Sequence, residues 1–299
     1  MDSRDEMTRP TNWASIGPFA TNRNDTYPFI TPTGSELAGK SVLITGASKG
    51  IGRVLAIRCA KAGASKIAIS ARSPLDAVVA EIKAEANKTG HSPEVIALNM
   101  DVTSNDSVRE AAEEVKKAFN NSLDILVNNA GFLPKWVPMV DSDPIEWWQG
   151  WEVNINGTYL CTRYFLPLLF NGSGRTIINM SSISAHMITY GASSYQTSKI
   201  AVCRFTEFIA REYEKQGIIA MALHPGGIKT DMAISMPEMV HSYLIDEPEL
   251  AADTVIWLTR ERRDWLNSRF INCPWDMEEL EKRKEEIVER DLLKFRLTI

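Results

Sequence analysis

The chain has 299 residues, 44% of them hydrophobic and 24% charged, with a formal charge of −5. That is enough apolar material for one large α/β domain, and an acidic balance gives no reason to expect a nucleic-acid partner, which draws on clustered Lys and Arg. Four scattered cysteines, Cys59, Cys161, Cys203 and Cys273, make no C-x-x-C or Cys/His ligand set; they read as reduced and buried, and no metal is expected.

Residues 1–38 are rich in Thr, Asn, Pro and Gly and show no helical or strand period. They read as an arm on the domain surface, with Trp13, Phe19, Tyr27 and Phe29 as anchors; plain disorder is the alternative. Met1–Pro10 is charged and lacks the apolar core of a secretory signal. The longest apolar run, Tyr159–Phe170, is broken by Arg163 and Pro167 and is too short to cross a bilayer. A soluble cytoplasmic protein with no membrane partner is the expectation.

The domain expected over 39–275 opens with Ser41–Arg58, which reads as strand, glycine turn and helix. Ser41–Thr45 has a branched apolar middle, as a buried parallel strand should. Gly46, Gly50 and Gly52 clear side chains from the turn, and Ile51, Val54, Leu55 and Cys59 are spaced to face a sheet. The first turn of that helix offers unpaired N–H groups to a phosphate. The spacing G-x3-G-x-G departs from the general dinucleotide fingerprint, so a turn that uses glycine only for tightness stays open at this point.

Further strands are predicted at Lys66–Ser70, Val95–Leu98, Asp124–Val127, Thr176–Met180, Ile218–Leu223 and Arg269–Asn272. Helices alternate with them at Leu75–Asn87, from a Ser104 N-cap to Phe119, at Pro144–Phe170, about 192–215 and Glu249–Thr259. Such alternation means βαβ units and a Rossmann-type, doubly wound parallel sheet in an α/β/α sandwich, with ligands beyond the carboxyl ends of the strands. The predicted helix Met277–Ile299, in an extension set at 276–299, carries Leu280, Ile287, Val288 and Leu292 as a stripe, with Glu279/Arg283 and Glu286/Arg290 as i,i+4 pairs.

Taken together, Thr45-Gly46-x3-Gly50-Ile51-Gly52, Asn128-Asn129-Ala130-Gly131, Asn154, Ser182, Tyr195-x3-Lys199 and Pro225-Gly226-x3-Thr230 resemble the short-chain dehydrogenase/reductase family in order and spacing, over roughly residues 39 to 275. The resemblance implies a nicotinamide-dependent oxidoreductase. It implies cofactor contacts from Gly46, Ser48, Lys49, Gly50, Ile51 and Gly52 in the glycine loop, from Asp101 and Val102 at adenine, from Asn128 beside the adenine ribose, and from Pro225, Gly226, Ile228 and Thr230 at the carboxamide. It also implies that Lys199 holds the nicotinamide ribose and that Asn154 holds a water linking Lys199 to solvent.

The chemistry can be argued from the residues as well. Carbonyl reduction builds negative charge on oxygen, so it needs donors aimed there and a proton source. Tyr195 is the candidate acid, with Lys199 one turn away to lower its pKa and Ser182 as the second donor. Singly, a Tyr and a Lys at helical spacing are a packed ring and a solvated amine, and a serine after a strand is a turn or a cap. No acidic residue lies between Gly52 and Leu75. Ala71 occupies the position where NAD enzymes of this family carry Asp, and Arg72 and Lys49 would flank a 2′-phosphate, so the expected cofactor is NADP(H).

The substrate is expected to be a hydrophobic ketone, aldehyde or alcohol. Trp136, His186, Met187 and a helical face of Met232, Met236 and Met239 are the expected pocket wall, and a homodimer or homotetramer is expected through the long helices. A non-redox enzyme in the same pocket and a catalytically silent NADP-binding scaffold are the alternatives.

Overall fold

The structure, a computed structural model, describes residues 19–297; the earlier part of the arm, with its expected anchor Trp13, lies outside them. Seven strands form one sheet: β1 Ser41–Thr45, β2 Lys66–Ala71, β3 Glu94–Asn99, β4 Ile125–Asn128, β5 Thr176–Met180, β6 Ile219–His224 and β7 Phe270–Asn272. Their order is β3-β2-β1-β4-β5-β6-β7 and every pair is parallel. The order reverses between β1 and β4, which opens a crevice at their carboxyl ends.

Alternation along the strands divides the core. Val42 and Ile44 of β1 face one side, with helices α1 Gly50–Lys61, α2 Asp76–Lys88 and α8 Pro248–Thr259 packed there through Leu55, Ile82 and Trp257, all buried. Leu43 faces the other, where α3 Asn105–Ala118, α5 Thr158–Leu169 and α6 Ser193–Glu212 contribute Val108, Phe165 and Ile209. The remaining helices are α4 Pro144–Trp151, α7 Asp231–Ile234, α9 Met277–Lys282 and α10 Lys284–Glu289. Among the described residues no helix is long and apolar enough to cross a membrane. All four cysteines are buried free thiols.

Three predicted helices differ. The span 144–170 is interrupted by a π-helical stretch, Glu152–Gly157, between α4 and α5, where an extra residue per turn turns Asn154 inward. The methionine face collapses because α7 has only four residues, and Met236 and Met239 lie beyond it. The C-terminal helix breaks at Arg283 into α9 and α10, and the chain then turns through Asp291 (φ 49°) and Leu293 (φ 64°).

Tertiary contacts explain that break. Glu279 accepts from the backbone and hydroxyl of Thr21 at 2.7 and 2.8 Å, so the expected Glu279/Arg283 pair does not form. Arg283 lies 3.6 Å over the Phe19 ring, donates to the Phe19 carbonyl and reaches Glu286 at 2.9 Å. Glu286/Arg290 does pair. Leu280 and Ile287 are buried, whereas Val288 is exposed.

At the amino edge of the sheet, Asp124 joins β1, β4 and β5. Its carboxylate accepts from the N–H and hydroxyl of Ser41, the N–H and hydroxyl of Ser173 and the N–H of Gly174, at 2.7 to 3.0 Å. Burial alone would raise its pKa; the five donors outweigh burial and hold it below the ordinary aspartate value of 3.8. A depressed folded pKa contributes stability that is complete above that value and lost as pH falls through the folded one. Asp124→Asn is therefore expected to cost about 1–3 kcal/mol at pH 7, and to shrink the loss of stability that the native chain shows below about pH 4. Urea denaturation of both chains at pH 7 and pH 3 checks this; equal losses in both would refute the assignment.

Candidate active site

The crevice is built on a clasp between β1 and β4. Thr45 Oγ1 accepts from the N–H groups of Asn129 and Ala130, each at 3.0 Å, and Asn129 Nδ2 donates to the carbonyls of Thr45 and Gly46 at 2.8 and 3.1 Å. Two of the three loop glycines serve this packing. A Cβ on Gly46 would lie 2.8 Å from Ala130 Cα, and one on Gly52 would lie 2.5 Å from Asn129 Nδ2. Gly50 differs: at φ +56° its missing Cβ faces Thr230 Cγ2 at 3.4 Å, across the gap between the glycine loop and α7. Tightness thus accounts for two positions and close approach for the third.

α1 begins here with no side-chain cap and no acid in its first turn, so its N–H groups face the crevice as an anion site. Ala71 is buried and Arg72 exposed at the end of β2, with Arg72 4.0 Å from the Asp101 carboxylate. An uncapped helix start and a glycine loop with no side chain at Gly50 fit the phosphates of a nicotinamide nucleotide. Lys49 is less free, because its ammonium pairs with Asp231 at 2.9 Å in an exposed contact.

Other expected contacts are placed more narrowly than the sequence suggested. Asn128 is buried and its amide donates to Thr162 and Asn179 at 3.1 and 2.8 Å, so any ribose contact falls to its main chain. The side chain of Ile228 sits in the core. Asp101 accepts from the N–H and hydroxyl of Thr103, and Val102 packs where Gly157 has no Cβ. Thr230 Oγ1 caps α7 through Ala233 N at 3.2 Å. Pro225 and Gly226 follow β6, Gly226 at φ +109°. Ser48 stands in the glycine loop, half-buried like Ile51.

The four expected catalytic residues come together. Tyr195 and Lys199 lie one turn apart on α6, with Nζ 5.5 Å from the phenol ring centroid. Ser182, buried at the end of β5, lies near enough to the Tyr195 hydroxyl to pull its pKa down, and its Oγ accepts from Ser184 N at 3.1 Å. Lys199 is 4% exposed and donates to the Met180 carbonyl at 2.8 Å. Asn154, turned in by the π-helix, exchanges 2.9 Å bonds with both the N–H and carbonyl of Phe132 and donates to Ser198 Oγ at 2.9 Å. Its main-chain carbonyl also accepts from Thr158 Oγ1 at 2.8 Å. Ser198 was not singled out from sequence, although it lies three residues past Tyr195 and next to Lys199.

The electrostatics correct one expectation. Lys199 does not lower the phenol here: burial pushes Tyr195 up to about 12, with Ser182 pulling it partly back. Burial likewise brings Lys199 down to about 8, with Cys203 opposing. Desolvation is the largest cause of both shifts.

Beside Tyr195 a narrow groove of about 10 Å³, open to solvent, is lined by Trp136, Trp147, Val137 and Ala192 together with Asp143 and Glu146. Met232 Cε reaches the space over Gly131 that Asn154 Oδ1 and Lys199 Nζ also border. His186 stands apart from the groove, stacked on Phe295 at 4.3 Å and edge-on to Phe270 at 4.6 Å. Trp147, Trp148 and Trp151 stack on one another at 6.1 to 6.4 Å. Among the described residues no cluster of His, Cys, Asp and Glu is placed to hold a metal.

Residues 40–241 match the family model described as short chain dehydrogenase. The chain is 50% identical over 277 residues to short chain dehydrogenase mpl6 of Monascus purpureus, covering 92% of this chain and 94% of that one. Among solved structures, an NADPH-bound carbonyl reductase from chicken fatty liver superposes with a TM-score of 0.66 at 25% identity, covering 79% of this chain and 97% of that one. The 3-ketoacyl-(acyl-carrier-protein) reductase of Brucella melitensis, complexed with NADH, does so with a TM-score of 0.68 at 26% identity over 79% and 97%. The two hold different nucleotides, so the choice of cofactor turns on the residues of this chain.

The glycine geometry gives a paired test. Gly52→Ala is expected to lower stability by about 1–3 kcal/mol through overpacking against Asn129. Gly50→Ala is expected to cost only about 1–2 kcal/mol of backbone strain while sharply weakening nucleotide binding. Denaturant melts and nucleotide titration separate the two, and identical behaviour would contradict the division of roles.

Proposed function

This chain belongs to the short-chain dehydrogenase family and is an oxidoreductase of that family, and we propose that it is an NADPH-dependent reductase acting on the carbonyl of a hydrophobic small molecule. The observation that carries the reading is the convergence of Tyr195, Ser182, Lys199 and Asn154 at the end of β5 beside the crevice. When bound, the nicotinamide nucleotide supplies or accepts the hydride.

The protein's own groups do the rest. The Ser182 hydroxyl and the Tyr195 phenol form a pair of donors for one substrate oxygen, and Tyr195 delivers the proton as negative charge develops there. A phenol held near 12 by burial stays protonated at neutral pH, which suits the reductive direction. Lys199, an ammonium below about 8, stands one turn away to return a proton to Tyr195 once the phenol has given its own to the substrate. Glycine-loop N–H groups, Ser48, Lys49 and Arg72 hold phosphates, and Arg72 favours the 2′-phosphorylated nucleotide because no acid stands at Ala71 to repel it. Trp136, Trp147 and Met232 supply apolar and adaptable surface for the substrate.

A cytoplasmic setting belongs to the same proposal, since four buried free thiols suit a reducing compartment. So does a homodimer or homotetramer, for which the exposed Tyr159 of α5 and Ile200 and Phe208 of α6 offer apolar contact.

Tyr195→Phe is expected to cut carbonyl reduction by about 10²–10⁴-fold while NADPH still binds; retained turnover would exclude Tyr195 as the acid. Arg72→Ser is expected to weaken NADPH about 10–100-fold, the worth of a lost charged hydrogen bond, and to leave NADH unchanged; steady-state kinetics with both nucleotides decide it. Because Lys199 is charged below about 8 and neutral above, reduction is expected to fall as pH rises through that range, and a flat profile to pH 10 would count against its role.

A further inference from the structure

The loop after β6 is held by a residue that no motif marks. Asp246 is 9% exposed, and both its oxygens are engaged. Oδ2 accepts from Gly227 N at 2.6 Å, and Oδ1 accepts from Asn24 Nδ2 at 2.7 Å. The Asp246 N–H returns a 3.0 Å bond to the Gly227 carbonyl, and Glu247 N donates to the Asn24 carbonyl at 2.7 Å. There is no slack around this pair: a Cβ on Gly226 would lie 2.7 Å from Asp246 Oδ2, and one on Gly227 would lie 2.1 Å from the Tyr243 carbonyl. Pro225 to Gly227 is therefore pressed onto Asp246, and Asp246 onto the arm.

The arm is itself fixed to the end of the sheet. Arg23 N donates to the Pro274 carbonyl at 2.6 Å, Asp276 N donates to the Thr21 carbonyl at 2.8 Å, and Asn22 pairs with Trp275 as an antiparallel bridge. The Arg23 guanidinium grips Asp276 through two bonds of 2.8 and 2.6 Å. The family match begins at residue 40, so Asn24 lies outside it.

Resting on the proposed function, we infer that Asn24 and Asp246 are positioning residues for the nicotinamide end of the cofactor, with Asn24 holding the Asp246 carboxylate at the height that sets Gly226 and Gly227. A carboxylate bonded on both oxygens cannot rotate, whereas one freed on Oδ1 turns toward solvent and takes Gly227 with it. The effect is expected to fall on the nicotinamide half, because Arg72 stands at the end of β2, on the far side of β1 from β6.

Asn24→Ala tests this. Asn24 is exposed, so the substitution is expected to leave the melting temperature within about 2 °C. Calorimetric titration is expected to show NADPH bound about tenfold more weakly, the worth of one charge-assisted bond, with 2′,5′-ADP, which has no nicotinamide half, bound as in the native chain. Asp246→Ala is a second variant: it removes the acceptors of both the Gly227 N–H and the Asn24 amide, and it is expected to move NADPH in the same direction at unchanged 2′,5′-ADP affinity. Equal weakening of both ligands, or no change in either, overturns the inference while the proposed function stands. Failure of the native chain to bind NADPH at all overturns the proposed function and this inference with it.

Discussion

Four hydrogen bonds between Thr45–Gly46 and Asn129–Ala130 govern the geometry of everything around them. Parallel strands are tied along their length by the backbone ladder, but at their carboxyl ends the ladder stops and the chains part into separate loops. The clasp fixes where they part: Thr45 serves the N–H groups of Asn129 and Ala130, and Asn129 serves the carbonyls of Thr45 and Gly46. With those groups satisfied internally, Gly46 and Gly52 can pack without side chains and the start of α1 is left bare. A crevice that binds an anion is in this sense what remains after the local polar groups have been paired.

The reacting side of the crevice obeys the opposite rule. Lys199 is buried with one carbonyl bond, and Ser182 lies near the buried Tyr195 hydroxyl. Desolvation presses both toward their neutral forms. The π-helical turn at Asn154 strengthens the frame around them by tying α4 and α5 to Phe132.

Much of this was legible in the sequence because the relevant signals are local. A branched apolar run followed by glycines marks β1 and α1, and a Tyr and a Lys four apart must share a face. The failures share a physical cause, which is that partners distant in the chain overrule helical periodicity. Nothing near Glu279 announces that Thr21 will claim its carboxylate, or that Phe19 will hold Arg283 and end the helix there. The π-helix at Asn154 is likewise invisible to a 3.6-residue count, and Asp246 carries no motif because its purpose depends on Asn24, 222 positions earlier. Lowering of the Tyr195 pKa by Lys199 failed for a different reason: spacing reports proximity and says nothing about how much water has been removed.

The stacked indoles of Trp147, Trp148 and Trp151 stand next to the groove that Tyr195 lines. Chromophores this close exchange excitation, so light absorbed by any one of them migrates among all three. Indole emission overlaps the absorption of a dihydronicotinamide ring, which would make occupancy of the crevice drain the ultraviolet glow of the whole trio. The chain thus contains an optical gauge of its own redox partner, with no dye attached.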